Sequence, residues 1–473
     1  MCRNPNVKHC FHLPYFCHHS GSPFLVVSNK RPTCKWRFPL LKTLLFLSLS
    51  SLLLSSNAFA QLEIFNKALS ATAFIESHTY YGFEEDEKAE DSTIGSGFLL
   101  DKKRGLVMTN AHIAGHGPTR SELRFYKQKK LIPTSRYFVD PYHDIALLKV
   151  DPSSIPEHVT EINLDCQQTA SAGEDVFGIG HPKFTEFQIA RGVISGEWDD
   201  NVDGTFWTTD LLIESGSSGG PVLSLETGKV IGISTATWKE SNIGLVTRAQ
   251  DACQIWKAIE KGESPKRPLL GFQQLLVNGY LSTKIGAIYD PSLPLQTGDD
   301  VLSYDNGKTW DISQIKRLAD LLRGFDKPEI QLTIKRGEET LSVMIPLKEG
   351  IAQNERKWVY FNGLTFNESI EEDDFLRSEN HFLKKNAIRV QSRRVDYSET
   401  SGWQIHKMAA LHSINGKRVT NIEDMAKILA KAEKDGTVLE FIFDGADWTN
   451  ESWRYLYSRS MPVKDFDTNI STY

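Results

Sequence analysis

Three short motifs in a fixed order constrain this chain more than any other feature of its sequence. In chain order they are Thr109-Asn-Ala-His112, His143-Asp144-Ile-Ala-Leu-Leu148 and Gly216-Ser-Ser218-Gly-Gly-Pro221. A histidine, a carboxylate and a serine are the base, the orienting anion and the nucleophile of an acyl-transfer centre. Because that chemistry requires the three side chains to meet, the fold must bring together residues that are far apart in sequence.

The serine motif carries the most specific of the three signals. The hydroxyl of Ser218 is a weak nucleophile unless a base removes its proton. The attack also needs backbone N–H groups that converge on the oxyanion, and glycines allow the chain to turn tightly enough to aim them. We expect the N–H groups of Gly216 and Ser218 to be these donors. A Gly/Ser-rich turn alone indicates only flexibility, but Gly-x-Ser-Gly-Gly-Pro is far more restrictive.

A histidine and an aspartate complete the predicted site. His112 would act as the general base, because an imidazole can gain and lose a proton near neutral pH. A lone histidine is more often structural, so this role depends on the other two motifs. Asp144 precedes an apolar strand and would orient the imidazole of His112. The neighbouring His116 follows Gly115 and lacks the strand-end context of His112, and Asp140, next to Pro141, fits a turn position better.

Length and charge exclude some classes of protein. A chain of 473 residues is too long for one hydrophobic core, so we expect roughly two to four domains. The net charge is −6, but residues 1–60 contain seven Lys/Arg and no Asp or Glu. Without that segment, 47 basic residues face 60 acidic ones, a balance of −13. We expect no nucleic-acid partner, because neutralising phosphates requires clustered Lys and Arg.

Residues 1–60 have the pattern of an export signal. Lys42 precedes an apolar run over residues 43–56, and Ala58-Phe-Ala60 matches a cleavage site. The run has 14 residues and a membrane-spanning helix needs ~20, although a retained anchor is the alternative. The stretch before Lys42 is rich in Cys and His, and an over-extended gene start explains it better than a zinc site. We therefore predict export to the periplasm or another extracytoplasmic compartment.

The rest of the chain divides into a strand-rich part and two smaller modules. From residue 61 to about 262, short apolar runs alternate with Gly, Asp and Pro turns, which is typical of β-barrels. Each module that follows shows a strand, a turn, a short strand, a helix and a strand, which we interpret as an internal duplication. Coincidence between two small α+β domains is the alternative. The predicted helices are Ile312–Leu322 and Ile422–Ala432, and the predicted strands are Glu329–Lys335, Thr340–Pro346 and Thr437–Phe443.

Residues from about 94 to 260 resemble the HtrA/Deg family of trypsin-like serine proteases. The matching blocks are Gly95-Ser-Gly-Phe-Leu-Leu100, Thr109–His112, Asp144–Leu148, Gly178-Ile-Gly-His-Pro182, Arg191-Gly-Val-Ile-Ser195, Gly216–Pro221, Val230-Ile-Gly-Ile-Ser-Thr-Ala236 and Asn242-Ile-Gly-Leu-Val246. The order His, Asp, Ser is also that of chymotrypsin-type enzymes. The resemblance implies a mainly β chain, with a chymotrypsin-like double β-barrel followed by two PDZ-like α+β domains.

The domains predicted on this basis have four sets of bounds. They are a signal or targeting segment (1–60), a trypsin-like protease domain (61–262), a first PDZ-like domain (263–348) and a divergent second PDZ-like domain with a C-terminal extension (349–473). The resemblance also implies a homo-oligomer, a trimer or a multiple of trimers. Nothing resembles a nucleotide-binding loop, so we expect an ATP-independent enzyme without a cofactor or a metal.

Further site features follow from the resemblance. Gly363-Leu364-Thr365-Phe366 resembles the PDZ loop whose N–H groups bind the C-terminal carboxylate of a peptide, and Leu270-Gly271-Phe272 is a weaker version. Some trypsin-like enzymes join the inter-barrel linker to the C-terminal helix by a disulfide, here Cys166 to Cys253. Two separate buried thiols are the alternative. Ser217 departs from the family, which usually has Asn at this position.

Specificity is predicted from position in the trypsin fold. The base of the primary pocket lies six residues before the nucleophile, which is Leu212 here. Ser234, Thr235 and Ala236 would form the wall strand of the pocket. Because an apolar base cannot pair with Lys or Arg, we expect Val, Ala, Ile or Leu before the scissile bond.

Three functions are compatible with these patterns. The leading hypothesis is an exported serine endopeptidase that cleaves unfolded or damaged envelope proteins. A signalling protease gated by peptides bound to its PDZ domains is the first alternative. The second is a chaperone or binding protein with weak or no proteolysis, because Ser217 would loosen the oxyanion turn.

Overall fold

A computed structural model describes most of the chain after residue 60. The described residues are 61–83, 90–167, 169–199, 205–238, 241–277, 280–305, 307–309, 317–368, 387–393, 409–446 and 454–470. The predicted export signal lies outside them. None of the helices in these ranges is both long enough and apolar enough to cross a membrane.

The first part of the described chain forms a seven-stranded antiparallel sheet. Its strands are β1 (Thr72–Thr79), β2 (Asp91–Asp101), β3 (Leu106–Thr109), β4 (Thr119–Phe125), β5 (Ile132–Pro133), β6 (Ser135–Asp140) and β7 (Ile145–Lys149), in the order β5-β4-β1-β2-β3-β7-β6. A helix, α1, covers residues 61–71, and the short helix α2 (Ala111–Ala114) follows β3. His112 lies in α2, and Asp144 lies in the turn between β6 and β7.

The second part is a closed six-stranded barrel. Its strands are β8 (Asp175–Gly180), β9 (Gln188–Asp199), β10 (Thr205–Thr209), β11 (Pro221–Ser224), β12 (Val230–Trp238) and β13 (Ile243–Arg248), in the cyclic order β10-β13-β12-β11-β8-β9. Ser218 lies in the tight turn that enters β11. One apolar cluster joins the two parts, since Phe98 and Leu147 of the first sheet pack with Phe177 and Ile233 of the barrel.

A helix and a disulfide join the end of the barrel to the linker between the two parts. The helix α3 (Ala249–Lys261) buries one apolar face in the shared cluster, and it ends at Gly262 in the left-handed conformation (φ 74°) that favours glycine. Cys253, in this helix, is bonded to Cys166 of the linker, with the two Cα atoms 5.7 Å apart.

Two further sheets follow, each with a helix. The first contains β14 (Phe272–Val277), β15 (Tyr280–Ile288), β16 (Asp300–Tyr304), β17 (Glu329–Arg336) and β18 (Glu339–Pro346) in sequential order, with α4 (Leu318–Leu321). The second contains β19 (Trp358–Phe361), β20 (Leu364–Glu368), β21 (Ile388–Arg393), β22 (Ala410–Ile414), β23 (Lys417–Arg418), β24 (Val438–Ala446), β25 (Arg454–Pro462) and β26 (Phe466–Thr468), with α5 (Ile422–Asp435). Its order is β25-β24-β22-β21-β20-β19-β26, and β23 pairs with β22.

The elements predicted for the two modules agree with these bounds to within a few residues, with one exception. The helix predicted over Ile312–Leu322 is described only from residue 317, and α4 covers four residues. In the second module, Asn421 accepts a hydrogen bond from the N–H of Asp424, and this N-cap starts α5 as an amphipathic helix.

The predicted carboxylate-binding loop of the second module is wrong. Asn362 and Gly363 form a two-residue hairpin turn between β19 and β20, both with positive φ (48° and 82°), which is the geometry that an Asn-Gly pair favours. Leu364, Thr365 and Phe366 are buried in β20, and that strand pairs with β19 on one side and β21 on the other. An interior strand of a sheet cannot take up a peptide as an additional strand.

The weaker loop of the first module lies differently. Gly271 precedes β14, an edge strand of its sheet, and has a positive φ of 73°. Its carbonyl oxygen accepts hydrogen bonds from the N–H groups of Tyr289 and Asp290.

We predict that the disulfide between Cys166 and Cys253 contributes strongly to the stability of the fold. Cross-linking residues 87 positions apart removes chain entropy from the unfolded state, worth about 4–5 kcal/mol in the loop-entropy model. We expect the double substitution Cys166→Ala and Cys253→Ala to lower the free energy of unfolding by about this amount, measured by denaturant titration under oxidising conditions. The wild-type chain under reducing conditions is the control. Equal unfolding midpoints for the oxidised and reduced wild type would contradict the prediction.

Candidate functional site

His112 and Asp144 form a hydrogen-bonded pair on the first sheet. The Nδ1 of His112 lies 2.7 Å from Asp144 Oδ2, and the backbone N–H of His112 donates to Asp144 Oδ1 at 2.9 Å. Both carboxylate oxygens therefore face the histidine, one on its ring and one on its backbone. This arrangement keeps the proton on Nδ1 and leaves Nε2 as the nitrogen that can accept a proton.

The backbone at Asp144 is held in an uncommon conformation. Its φ is +52°, which a non-glycine residue adopts at a cost of about 1–3 kcal/mol and only when its surroundings require it. One of those surroundings is Asn110, whose side-chain amide donates to the Asp144 carbonyl oxygen at 2.8 Å. Asn110 is two residues before His112, so the segments that carry the base and the carboxylate are tied to each other.

Ser218 reaches the same region from the barrel. Its hydroxyl donates to the carbonyl oxygen of Thr235 at 3.0 Å. That carbonyl is available because the register between β12 and β13 shifts between Ser234 and Ala236, as at a β-bulge. The Thr235 hydroxyl in turn lies 3.4 Å from the Asn110 amide nitrogen. Thr235 and Asn110 therefore connect the serine to the His112–Asp144 pair.

The turn before Ser218 presents backbone donors for an oxyanion. The Ser215 carbonyl oxygen accepts from the N–H of Lys183 at 2.9 Å. Because C=O and N–H point in opposite directions across a trans peptide, the N–H of Gly216 points away from Lys183. In the part of the chain that the structure describes, neither Gly216 N–H nor Ser218 N–H donates to a protein acceptor. Two such donors, on residues 216 and 218, next to a serine hydroxyl are the elements of an oxyanion hole.

Gly216 is required at this turn for two reasons. Its φ is +95°, a conformation that other residues rarely adopt. A Cβ at this position would also lie 2.3 Å from the carbonyl oxygen of His181. The sequence departure at residue 217 does not open the turn, since the Ser217 N–H donates to the Glu214 carbonyl at 2.8 Å and the Ser217 hydroxyl accepts from the Glu214 N–H at 3.4 Å.

Sequence analysis missed two residues that support this turn, Ser96 and His181. The Ser96 hydroxyl donates to the Gly216 carbonyl oxygen at 2.7 Å and lies 2.8 Å from His181 Nδ1. Since a hydroxyl has one proton, His181 must donate to Ser96. Burial lowers the pKa of His181 to about 3, so the ring is neutral at physiological pH. Both residues lie within the blocks Gly95–Leu100 and Gly178–Pro182, and only the fold shows that these blocks meet.

The structure does not place Leu212 where a pocket base is expected. The Leu212 side chain is 65 % exposed and lines an open cavity of about 350 Å³ together with residues of β8 and β9, Leu211, Ser217 and Ser234. Its neighbour Ile213 is 4 % exposed and packs against β13, where a Cβ at Gly244 would lie 2.9 Å from the Ile213 Cδ1 atom. Thr237 of β12 donates to the Ile213 carbonyl oxygen at 2.5 Å. The apolar side chain beside the wall strand is therefore Ile213.

The predicted wall residues have separate roles. Ser234 pairs by its backbone with the serine turn, since its carbonyl accepts from Gly219 N–H and its N–H donates to the Gly220 carbonyl. The Thr235 hydroxyl bonds within the barrel, to the Ile233 carbonyl and the Thr247 hydroxyl. Ala236 lies in β12 opposite Leu245. Among the described residues no group of three or more His, Cys, Asp or Glu side chains is arranged to hold a metal ion.

Known proteins resemble this chain, and the matching family model spans most of the first sheet and of the barrel. The family model of the trypsin-like peptidase domain matches residues 95–233. A probable periplasmic serine endoprotease DegP-like of Pseudomonas putida (strain W619) is 26 % identical over 288 residues, covering 55 % of this chain and 57 % of that protein. One from Marinomonas sp. (strain MWYL1) is 22 % identical over 368 residues, covering 72 % of this chain and 75 % of that protein.

The Pseudomonas relatives extend well beyond the aligned region. This chain spans little more than half of their length. Among solved structures, the HtrA-type protease AlgW with decapeptide is 17 % identical, with a TM-score of 0.49, and the match covers 61 % of this chain and 98 % of that one.

We predict that the hydrogen bond from Ser96 to the Gly216 carbonyl oxygen affects the reactivity of Ser218. Losing one oxyanion donor costs about 10²–10³-fold, and Ser96 acts on the donors indirectly through the Gly216 carbonyl. We expect Ser96→Ala to slow the reaction of Ser218 with a fluorophosphonate about tenfold, measured as a second-order labelling rate. Ser92→Ala is the matched control, because that hydroxyl lies on the same strand and contacts the partly exposed His78. Equal rates for wild type and Ser96→Ala would disprove the role.

Proposed function

Because this chain belongs to the HtrA/Deg family of trypsin-like serine proteases, we propose that it is a serine endopeptidase with His112, Asp144 and Ser218 as its catalytic residues. The observation that carries the proposal is the network around Asn110 and Thr235, which connects the His112–Asp144 pair to the Ser218 hydroxyl. The network links the side chains of His112 and Asp144, from the first sheet, to that of Ser218, from the barrel. The backbone N–H groups of Gly216 and Ser218 lie in the turn that carries this serine. No structural purpose explains that combination as well as acyl transfer does.

The proposed reaction follows from the geometry. On substrate binding the Ser218 hydroxyl turns from the Thr235 carbonyl toward the His112 Nε2 atom, a rearrangement of the kind often needed in sites without substrate. His112 takes the proton as the oxygen attacks the scissile carbonyl, and Asp144 stabilises the imidazolium. The N–H groups of Gly216 and Ser218 bind the oxyanion. His112 then protonates the leaving amine, and water hydrolyses the acyl-enzyme by the same steps in reverse.

The substrate class and compartment are extended from the relatives. The relatives are named as probable periplasmic serine endoproteases, and the disulfide between Cys166 and Cys253 suits an oxidising compartment. We propose an exported enzyme that takes unfolded protein or peptide chains and needs no cofactor. The segments 263–348 and 349–473 are proposed as PDZ-like domains, and oligomers of three or a multiple of three chains are proposed for the assembly. If either module binds C-terminal peptides, the open edge of β14 in the first is the proposed site.

The primary specificity pocket is proposed to have Ile213, rather than Leu212, as its apolar base. Ile213 is buried against Gly244 of β13 and is bonded to β12 through its carbonyl oxygen. An apolar base offers no charge to pair with Lys or Arg. The expected preference for small or aliphatic residues before the scissile bond is therefore the same with Ile213 as with Leu212.

Loss of the nucleophile provides the first test. Ser218→Ala removes the hydroxyl and leaves the fold unchanged, so we expect hydrolysis of casein by the purified protein to fall at least a thousandfold. The wild type should also form a covalent fluorophosphonate adduct at Ser218, identified by mass spectrometry of the labelled peptide. A folded wild type that forms no adduct and does not degrade casein would support the binding or chaperone alternative.

The cleavage pattern provides the second test. We expect digestion of an unfolded protein to yield products that end mainly in Val, Ala, Ile or Leu, because the pocket base is apolar. The measurement is mass-spectrometric sequencing of the products, with the Ser218→Ala digest as the background control. Products ending mainly in Lys or Arg would contradict the pocket assignment.

A further inference from the structure

A buried cluster of charges lies behind the turn that carries Asp144. Asp140 ends β6, four residues before Asp144, and is only 2 % exposed. Its Oδ2 atom accepts from Arg323 Nη2 at 2.6 Å and lies 2.9 Å from His143 Nδ1. Arg323 belongs to the segment after residue 262, so this contact joins the first sheet to the module that follows the barrel.

The contact belongs to a larger network. Asp320 lies 3.9 Å from the other ring nitrogen of His143 and accepts from Arg323 at 3.3 Å and from Arg267 at 3.4 Å. The guanidinium of Arg267 also lies 3.2 Å above the ring of Tyr142. Tyr142 and His143, the two residues immediately before Asp144, are therefore held by side chains of the following module.

Electrostatics makes the network resistant to rearrangement. Burial opposes ionisation of Asp140, yet the charge of Arg323, with that of His143, holds the pKa of this carboxyl far below its usual value. Burial likewise opposes ionisation of Asp320, whose pKa is nonetheless lowered to about 2, chiefly by Arg267 and His143. Removing one partner of such a buried pair leaves an uncompensated charge, which is strongly destabilising.

Strand β6 also connects this network to the loop that follows His112. Arg136, in the same strand as Asp140, donates to the carbonyl oxygens of Gly115 and Gly117, in the loop that follows His112. Asn354, in the short 3₁₀ helix Gln353–Glu355, has its amide 3.4 Å from the Arg136 carbonyl oxygen. The position of β6 thus affects both members of the His112–Asp144 pair, and residues beyond 262 hold β6 at two points.

We propose that Arg323 is a positioning residue for the Asp144 carboxylate. It acts through Asp140, whose Oδ1 atom also accepts from the Tyr142 N–H at 3.2 Å and so fixes the turn that leads to Asp144. Asp320 and Arg267 hold the same turn through His143 and Tyr142. The module after the barrel is therefore part of the catalytic framework of the first sheet, a role that rests on the proposed function. Since misplacement of about 1 Å can cost a hundredfold in rate, a modest shift of this turn is sufficient to slow the reaction.

The test separates positioning from stability with two variants of the full chain. Arg323→Met leaves Asp140 buried without its guanidinium partner, so we expect both the melting temperature and kcat for peptide hydrolysis to fall, kcat by at least tenfold with KM within twofold. The double variant Asp140→Asn with Arg323→Met removes both charges, and its amide oxygen can still accept from Tyr142. We expect this variant to regain most of the melting temperature but to keep the reduced kcat, because the contact between residues 140 and 323 that fixes the turn is lost.

A matched control comes from the same module. Arg336 forms an ion pair with Asp299 at 2.7 Å, and its hydrogen-bond partners lie in the segment 294–299 of that module. We expect Arg336→Met to change kcat by less than twofold, whatever it does to the melting temperature. If Arg323→Met does not fold, the double variant alone decides the question.

The possible outcomes are distinct. An active wild type whose double variant regains both melting temperature and kcat would overturn the positioning role and leave the proposed function intact. A folded Arg323→Met variant with the wild-type kcat would do the same. A wild type that hydrolyses no peptide and forms no adduct at Ser218 would contradict the proposed function and the positioning role together.

Discussion

The contact between β2 and the turn that carries Ser218 is the interaction on which the rest of the site depends. The Ser96 N–H donates to the Ser218 carbonyl at 2.7 Å, and the Ser96 carbonyl accepts from the Thr109 hydroxyl at 2.7 Å. The chain can approach this closely only because residue 219 is glycine, since a Cβ there would lie 2.1 Å from the Ser96 carbonyl oxygen. The backbone of Ser96, on the first sheet, thus fixes the position of the nucleophile on the barrel relative to β3 and His112.

The two sheets supply different parts of the proposed chemistry, and different surroundings hold each part. The barrel supplies the nucleophile and the oxyanion donors, which are fixed by Ser96 and the neutral His181 through short, buried hydrogen bonds. The first sheet supplies the base and its carboxylate, and these are fixed by Asn110 and by charged groups that include Arg323 of the next module. Neutral hydrogen bonds hold one half, and a buried ionic network holds the other. Disturbances of the downstream module are therefore expected to reach the His112–Asp144 half first.

The second module illustrates how a local sequence can resemble one element and encode another. Gly363-Leu-Thr-Phe366 has the composition of a carboxylate-binding loop, but the preceding Asn362 makes it the second half of an Asn-Gly hairpin. The Asn362 side chain also bonds to the Pro462 carbonyl and to the Lys464 N–H, so the C-terminal segment covers this turn. This hairpin joins β20 to β19, whereas the strand on its other side comes from residues 388–393, a pairing that no local pattern around residue 363 indicates. The weaker motif at Gly271, by contrast, precedes an edge strand.

The sequence by itself determined the chemistry and the local elements. The three motifs, the glycines that allow the oxyanion turn, and the bounds of the modules' strands and of α5 follow from residue type and short-range pattern, because conformational preference and hydrogen-bonding capacity are local properties. Only the tertiary structure decided which side chains touch. It placed Ile213 instead of Leu212 beside β12 and joined Asp140 to Arg323 across 183 positions. It also brought the Ser96 hydroxyl to the Gly216 carbonyl and His181 to Ser96. Those contacts depend on how separate sheets pack together. The spacing of two residues along the sequence does not give the distance between their side chains in the fold.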